Sequence, residues 1–153
     1  MAPGHDLAKR RRQFVDKIGA VAQGEGMPRI AGRLFALLIF EGRWFSFGEL
    51  AEVLKVSRGS VSSNVRLLEN LGVVKRAGRP GDRQDYFHLA DNPYASLLSG
   101  AASRARAAQQ EIEDTIADIP DSETETLERL NDFARFYGAL QASVSRAAED
   151  VQK

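Results

Sequence analysis

The sequence predicts a mainly α-helical fold with one small β-hairpin, on three observations. Two helix-start signals stand close together at Ser46 and Ser57, two short β-forming segments follow them, and apolar residues recur at helical spacing near both termini. The chain has 153 residues, of which 43% are hydrophobic and 27% charged, and this ordinary globular usage predicts a single domain spanning residues 1–153.

The first helix-start signal is the Ser-Phe-Gly-Glu segment at residues 46–49. In a Ser-x-x-Glu capping box, the hydroxyl and the carboxylate each accept a hydrogen bond from an unpaired backbone amide. Leu50, Val53 and Leu54 then give one buried stripe. A helix is therefore expected to begin near Phe47.

The second signal is Ser57, an N-cap residue for a helix whose inward face carries Val61, Val65 and Leu68 and whose end is marked by Gly72. The short turn before it makes the pair a helix-turn-helix. The outward face carries small or cationic residues: Arg58, Gly59, Ser62, Ser63, Arg66 and Asn70. Hydroxyl and guanidinium groups bond phosphates and base edges, so this face is typical of a helix that enters a DNA groove. The alternative is an ordinary surface helix.

A hairpin is predicted from residues 73–76 and 86–89, which are rich in β formers, and from Gly78, Pro80 and Gly81 between them. A helix-turn-helix followed by a hairpin is the winged helix-turn-helix. Four cations lie on or beside this wing: Lys75, Arg76, Arg79 and Arg83. A narrow minor groove attracts inserted arginine, although a solvated hairpin with scattered charge is the alternative.

The net charge is zero, but the charges are unevenly placed. Residues 29–89 hold ten Lys and Arg against six Asp and Glu, whereas residues 90–153 hold six against twelve. Residues 1–28 hold five against three. Positive charge therefore concentrates on the winged helix, which is the part expected to face DNA.

Several other functions find little support in the sequence. There is no cysteine, the two histidines are far apart, and no apolar run approaches the length of a membrane span, so we expect no metal or other cofactor and a cytoplasmic protein. An enzyme is not expected, because His88 has no evident nucleophile beside it and residues 62–63 lack a Gly-x-Ser-x-Gly elbow. A winged helix used only for protein interaction is the remaining alternative, which the arginines of the wing argue against.

The terminal segments are predicted to be helices. One runs from Leu7 to the glycines at 24 and 26, one follows Pro28, one lies between Pro93 and Pro120, and the last begins with a capping box at residues 122–125. Residues 43–45 are expected to form a short strand pairing with the wing. The basic run at residues 9–12 either touches phosphates or, as we prefer, is the exposed side of a helix.

The apolar faces of the terminal helices exceed what one small domain can cover, which predicts a homodimer; the alternative is a monomer whose terminal helices cover its own winged helix. The expected interface residues are Leu7, Phe14, Ile18, Leu127, Leu130, Ala134, Tyr137 and Val144. Phe133, Phe136 and Leu140 widen the last stripe. The aromatic residues are assigned to the core, including Trp44, Phe45, Phe47, Tyr86, Tyr94, Phe133, Phe136 and Tyr137.

The winged region resembles that of the MarR-type (multiple antibiotic resistance) regulators, which carry the same residue types at positions matching Ser57, Val61, Leu68, Glu69, Gly72, Val74 and Arg76. Residues 81–87 (Gly-Asp-Arg-Gln-Asp-Tyr-Phe) resemble the wing of the glycine betaine synthesis repressor-like branch. The resemblance covers residues 30–89 and departs at Ser63 and Gln84, where arginine is frequent in that family.

This resemblance implies a dimeric bacterial transcription regulator, a repressor, with a winged core at residues 29–89 and dimerisation helices at 1–28 and 90–153. Its partners are then operator DNA, a second copy of the chain and an effector of unknown identity, for which the branch suggests an osmolyte-related molecule. We expect the recognition helix at 57–71 in the major groove and the wing at 73–89 at the minor groove. The candidate DNA-binding residues are Ser57, Arg58, Gly59, Ser60, Ser62, Ser63, Arg66, Lys75, Arg76, Arg79 and Arg83.

Overall fold

The computed structural model describes residues 3–152, which form six α-helices and three short β-strands. The elements are α1 (Pro3–Gly24), α2 (Arg29–Glu41), β1 (Phe45–Ser46), α3 (Phe47–Leu54), α4 (Arg58–Asn70), β2 (Val74–Ala77), β3 (Tyr86–Leu89), α5 (Pro93–Asp118) and α6 (Thr124–Gln152). The predicted fold class, mainly α with a small β wing, is confirmed. None of the helices in the described part of the chain is long and apolar enough to cross a membrane.

The helix-turn-helix forms as its capping signals predict. Ser46 accepts a hydrogen bond from the Glu49 amide while Glu49 accepts one from the Ser46 amide, which starts α3. The Ser57 hydroxyl accepts from the Ser60 amide and starts α4. Between them Lys55 takes the left-handed conformation, with φ of 56°, so that the chain turns within a few residues. This turn fixes the direction of α4 relative to α3.

The core of the first compact unit, which ends at Pro93, lies between α2, α3, α4 and the sheet. Its largest fully buried side chains come from all of these elements: Leu34, Leu37, Leu38, Phe45, Leu50, Leu54, Val61, Val65, Leu68, Val73 and Phe87. The inward face predicted for α4 is therefore confirmed, and α4 is held by its apolar stripe with its opposite face exposed.

The three strands form an antiparallel sheet in the order β1-β3-β2. Phe45 of β1 pairs with Phe87, and β2 pairs with β3 from Val74 opposite Leu89 to Ala77 opposite Tyr86. Strand β2 begins one residue later than predicted, because the Val73 amide bonds the Leu68 carbonyl in the turn that ends α4. The predicted pairing of the segment after α2 with the wing is confirmed at Phe45, but β1 is Phe45–Ser46, so the predicted bounds of 43–45 are wrong at Arg43 and Trp44.

Helix α1 packs against α2 of its own chain. A Cβ built on Gly32 would lie 2.4 Å from the Ala22 Cβ, so the two backbones cross where only glycine fits. Phe14 contacts Phe40 with ring centroids 5.8 Å apart. Packing of α1 on its own chain is what the monomer alternative predicts for this helix. Phe14, a predicted interface residue, is packed within the chain, whereas Leu7 stays 57% exposed.

The second compact unit, from Tyr94, contains α6 and nearly all of α5. Helix α6 begins at Thr124, one residue later than a capping box at 122–125 requires, so that prediction is wrong in its register. Ala134 is buried, whereas Phe133 and Phe136 are 48% and 58% exposed. The assignment of these two rings, and of Tyr94 at 47%, to the core is also wrong.

Of the other predicted interface residues of α6, Leu127, Leu130, Tyr137 and Val144 are half-buried. Tyr137 lies beside both exposed rings, with centroids 5.2 Å from each. Phe133, Phe136 and Leu140, which lie beside the predicted stripe, are therefore more exposed than the residues of the stripe itself.

Candidate nucleic-acid interface

The exposed side of α4 carries the residues predicted to face DNA. Arg58, Gly59, Ser62, Ser63 and Arg66 are all exposed, and they recur at the three- and four-residue spacing of one helical face. Small side chains alternate with guanidinium groups, so the helix backbone is open to close approach by a partner. This is the geometry of a helix able to enter a groove.

Hydrogen bonds along α4 use part of its polar side chains. The Ser63 hydroxyl donates to the Gly59 carbonyl at 3.1 Å, and its lone pairs remain as acceptors. Asn64, which the sequence analysis did not single out, is buried and donates to the Ser60 carbonyl at 2.7 Å. Its position between Val61 and Val65 on the apolar stripe was the available signal.

The two arginines of α4 lie in different surroundings. The Arg58 guanidinium lies over the Phe47 ring at 4.9 Å, which braces the start of α4 against the start of α3. Arg66 forms no ion pair with any carboxylate of residues 3–152. Its charge is therefore available to a partner.

The tip of the wing is a tight turn at residues 79–82. The Asp82 amide donates to the Arg79 carbonyl at 3.0 Å, Pro80 takes the second position, and Gly81 takes the third with φ of 78°. A type II turn requires a positive φ at that third position, which glycine adopts without strain. The turn holds Arg79 and places Arg83 directly after it.

Two contacts order the side chains at this tip. The Arg79 guanidinium lies 3.7 Å above the Tyr86 ring, and the Tyr86 hydroxyl donates to Asp82 at 2.5 Å. That hydrogen bond lowers the pKa of Asp82 and raises the pKa of Tyr86, because it favours the ionised carboxylate and the neutral phenol. Both shifts favour the protonation states that this hydrogen bond requires. Arg83 forms no ion pair within the part of the chain described.

The cations at the base of the wing are neutralised by carboxylates of the protein. Arg76 pairs with Glu69 at 2.6 Å and with Asp85 at 2.8 Å, and the hydrogen bond to Glu69 raises the pKa of Arg76. Lys75 pairs with Asp91 at 3.0 Å. The predicted wing cations therefore divide into an ion-paired base and a tip whose charges face outward.

The wing is also bonded to α3, through a residue that the sequence analysis noted only as a departure from the family. The Gln84 carbonyl oxygen accepts from the Gly48 amide at 3.1 Å, and the neighbouring Phe47 amide donates to the Asp85 carbonyl at 3.0 Å. Both donors belong to the first turn of α3, whose amides have no partner within the helix. A side chain at position 48 would press on Gln84, since its Cβ would lie 3.0 Å from that oxygen.

The basic run at the N-terminus is partly neutralised. Arg10 pairs with Asp6 at 3.2 Å, and Arg11 pairs with Glu41 at 2.7 Å. This pairing favours the interpretation of the run as the exposed side of a helix.

A cavity of about 490 Å³ lies between α1, α2 and α3. Its lining is partly charged and partly apolar: Arg11, Arg12, Val15, Asp16, Arg33, Leu37, Glu52, Val53, Leu54 and Lys55. Across residues 3–152, no group of three or more His, Cys, Asp or Glu side chains is placed to hold a metal ion.

Comparison with known proteins places this geometry in a family. The model described as MarR family matches residues 25–85. The HTH-type transcriptional regulator MmpR5 of Mycobacterium tuberculosis (strain ATCC 25618 / H37Rv) is 31% identical over 132 residues, which cover 81% of this chain and 78% of that protein. A solved structure described as a transcriptional regulator has a TM-score of 0.81 at 26% identity, covering 94% of this chain and 98% of its own.

These matches confirm the prediction of a DNA-binding transcriptional regulator, for which a homodimer is typical. The narrower resemblance, to the glycine betaine synthesis repressor-like branch, stays a prediction. The winged helix-turn-helix, the match to the family model and the extent of the similarity to MmpR5 together show that the chain belongs to the MarR family of transcriptional regulators.

Proposed function

We propose that this chain regulates transcription as a homodimer that places α4 in the major groove of an operator and the wing tip at the adjacent minor groove. The observation that carries the proposal is the exposed face of α4, where small side chains alternate with Arg58 and Arg66. A surface helix without a partner more often carries long Lys and Glu side chains that pair with each other along the helix. MmpR5 is itself named as an HTH-type transcriptional regulator.

Gly59 supports close approach by a partner. A glycine in a helix costs about 1 kcal/mol relative to alanine. The protein has no internal need for it, because the nearest atom to a Cβ built there is the Ser57 hydroxyl at 3.9 Å. A partner that comes close to the first turn of α4 accounts for the glycine, and the amides of that turn suit a phosphate.

The proposal divides the candidate residues into two roles. Arg66 and Arg58 lie on the recognition helix, where an arginine can bond guanine through two hydrogen bonds. Arg83 and Arg79 lie at the wing tip, where they would meet the backbone or the minor-groove potential. The serines of α4 would bond phosphates or base edges.

The remaining parts of the proposal concern assembly, place and chemistry. The homodimer forms through exposed apolar side chains, among them Leu7, Val21, Phe133, Phe136 and Leu140. The protein acts in the cytoplasm, where its operator lies, and has no catalytic role, in keeping with membership of a family of regulators.

Salt dependence of binding tests the proposal. The probe is a 30-bp duplex enriched by the wild-type protein from a random library, with a scrambled duplex of the same composition as the reference. A dimer that neutralises about six to ten phosphates should lose affinity by a factor of about one thousand or more between 50 and 200 mM salt. A flat salt dependence, or failure to enrich any sequence, would contradict the proposal.

Two single variants separate the two roles. Arg66→Ala should weaken binding to the enriched duplex alone, by roughly 1 to 3 kcal/mol if the residue bonds a base. Arg83→Ala should weaken binding to both duplexes by similar factors. Equal losses on both duplexes for Arg66→Ala would exclude base recognition by that residue.

A further inference from the structure

Arg76 lies between the recognition helix and the wing and differs in its contacts from the arginines at the wing tip. We infer that Arg76 is a positioning residue: it holds the wing against the end of α4 through Glu69 and Asp85, and it does not neutralise a phosphate. This inference rests on the proposed function, because it assigns a role within the same DNA-binding surface.

The contacts of Arg76 occupy both edges of its guanidinium group. Nε and Nη2 donate to the two carboxylate oxygens of Glu69 at 3.2 and 2.6 Å, and Nη1 donates to Asp85 at 2.8 Å. The same group lies 5.0 Å from the Phe87 ring, on the residue paired with Arg76 across the sheet. Arginine forms such two-bonded pairs with carboxylates because its donors are fixed in a plane.

The two carboxylates belong to different parts of the fold. Glu69 lies in the last turn of α4, where a negative charge is unfavourable beside the exposed carbonyls unless a cation compensates it. Asp85 precedes β3, and its carbonyl accepts from the first amide of α3. Arg76 therefore connects the end of the recognition helix to a segment of the wing that is itself bonded to α3.

The charge balance of this trio argues against a phosphate contact. One guanidinium between two carboxylates leaves a net charge of −1, so a phosphate that approached the N–H donors still free on Arg76 would be repelled by Glu69 and Asp85. Without Arg76, Glu69 and Asp85 would carry uncompensated like charges at the base of the wing. The expected effect of losing Arg76 is a wing that no longer holds Arg83 at a fixed position relative to α4.

A double variant of the two carboxylates distinguishes a positioning role of Arg76 from a phosphate contact, because the two roles predict opposite changes in affinity. Glu69→Gln with Asp85→Asn removes two negative charges from each protomer near the DNA, so a phosphate-binding Arg76 would be freed and binding would tighten. A positioning role predicts the opposite for the enriched duplex: a dissociation constant raised by about fivefold or more, with unchanged or tighter binding to the scrambled duplex.

Arg76→Lys gives the second arm, with Arg83→Lys as its matched control. Lysine serves a phosphate as a point charge but cannot bridge two carboxylates with a planar group. We expect Arg76→Lys to raise the dissociation constant for the enriched duplex about tenfold without changing the slope of log affinity against log salt. Arg83→Lys, which keeps a cation at the wing tip, should keep the slope and should change the affinity by less than Arg76→Lys does.

The slope itself provides a readout that a purely structural role does not move. Arg83→Met should reduce its magnitude by about 0.9 for each phosphate that is no longer neutralised, or roughly 2 for a dimer. Arg76→Met should leave it unchanged. Circular dichroism and the unfolding midpoint check that each variant is folded, and if the double variant unfolds, Asp85→Asn alone decides by the sign of its effect.

The outcomes separate the inference from the proposed function. The inference alone is overturned if the wild type enriches a duplex and either of two results follows. One is tighter binding of that duplex by the Glu69→Gln, Asp85→Asn variant, and the other is a reduced salt slope for Arg76→Met. A wild-type protein that selects no sequence and shows no salt dependence would overturn both.

Discussion

The homodimer can be tested on two exposed rings of α6. Phe133 and Phe136 are about half exposed although they are large and apolar. A phenyl side chain buries roughly 200 Å² when fully covered, so covering the free half of both rings in two protomers removes roughly 400 Å² from water. At about 25 cal/mol per Å², this contributes at most about 10 kcal/mol to association.

Replacing both rings with serine should therefore dissociate the dimer without unfolding the protomer. If only half of that upper bound is realised, the dimer dissociation constant rises by a factor of about one thousand or more. Sedimentation velocity from 0.1 to about 50 μM measures the change, and circular dichroism shows whether α6 is intact. The control is Arg135→Ser, which alters an exposed side chain in the same turn and should leave the dimer unchanged.

The result also decides between two predictions of the interface. The sequence places Leu130 on the interface, but this side chain is half-buried within its own chain. Leu130→Ser should therefore lower the free energy of unfolding of the protomer in addition to weakening the dimer. A Phe133→Ser, Phe136→Ser variant that stays dimeric with an unchanged dissociation constant would refute the reasoning. A wild type that is monomeric at micromolar concentration would do the same.

Two further predictions concern the winged unit. Ser57→Ala and Ser46→Ala each remove an N-cap hydrogen bond of 3.1 Å, so each should lower the free energy of unfolding in urea by about 1 kcal/mol. Only Ser57→Ala should also weaken DNA binding, and equal effects of the two variants on DNA binding would show that Ser57 is not part of the interface. Gly32→Ala places a Cβ 2.4 Å from that of Ala22 and should destabilise the protein by about 2 kcal/mol in thermal unfolding. The control Gly4→Ala, which has no neighbour within 4 Å, should leave the stability unchanged. Unchanged stability of Gly32→Ala would contradict the close crossing of α1 and α2.

The parts of the fold that the sequence predicts well depend on local interactions. The capping box at Ser46, the N-cap at Ser57 and the left-handed glycine at position 72 each act within a few residues, so the residues that determine them are adjacent in the chain. The apolar spacing of α4 also predicts its buried face, because the core covers that face continuously.

The features that the sequence does not reveal depend on contacts between distant residues. Phe133 and Phe136 are exposed because the rest of the second compact unit covers a different side of α6. Helical spacing alone does not predict that these two rings are exposed while Tyr137 is half-buried. The neutralisation of Arg76 depends on Glu69 and Asp85 meeting it from two other segments. A count of cations along the wing cannot distinguish a paired arginine from an unpaired one.

Gln84 shows how such a distant contact changes the meaning of a substitution. In comparison with the family motif, a glutamine where arginine is frequent looks like the loss of a charge for DNA. In the structure its carbonyl oxygen accepts from the Gly48 amide at the start of α3, and an arginine, which has donors alone, cannot make that bond. The chain thus gives up one cation at the wing and gains a second attachment of the wing to the helix-turn-helix. Together with the Arg76 pairs, this attachment bonds the wing to both α3 and α4. Arg83, which has no ion pair among residues 3–152, lies on that wing. We therefore expect DNA binding to depend more on the position of Arg83 relative to α4 than on the number of cations along the wing.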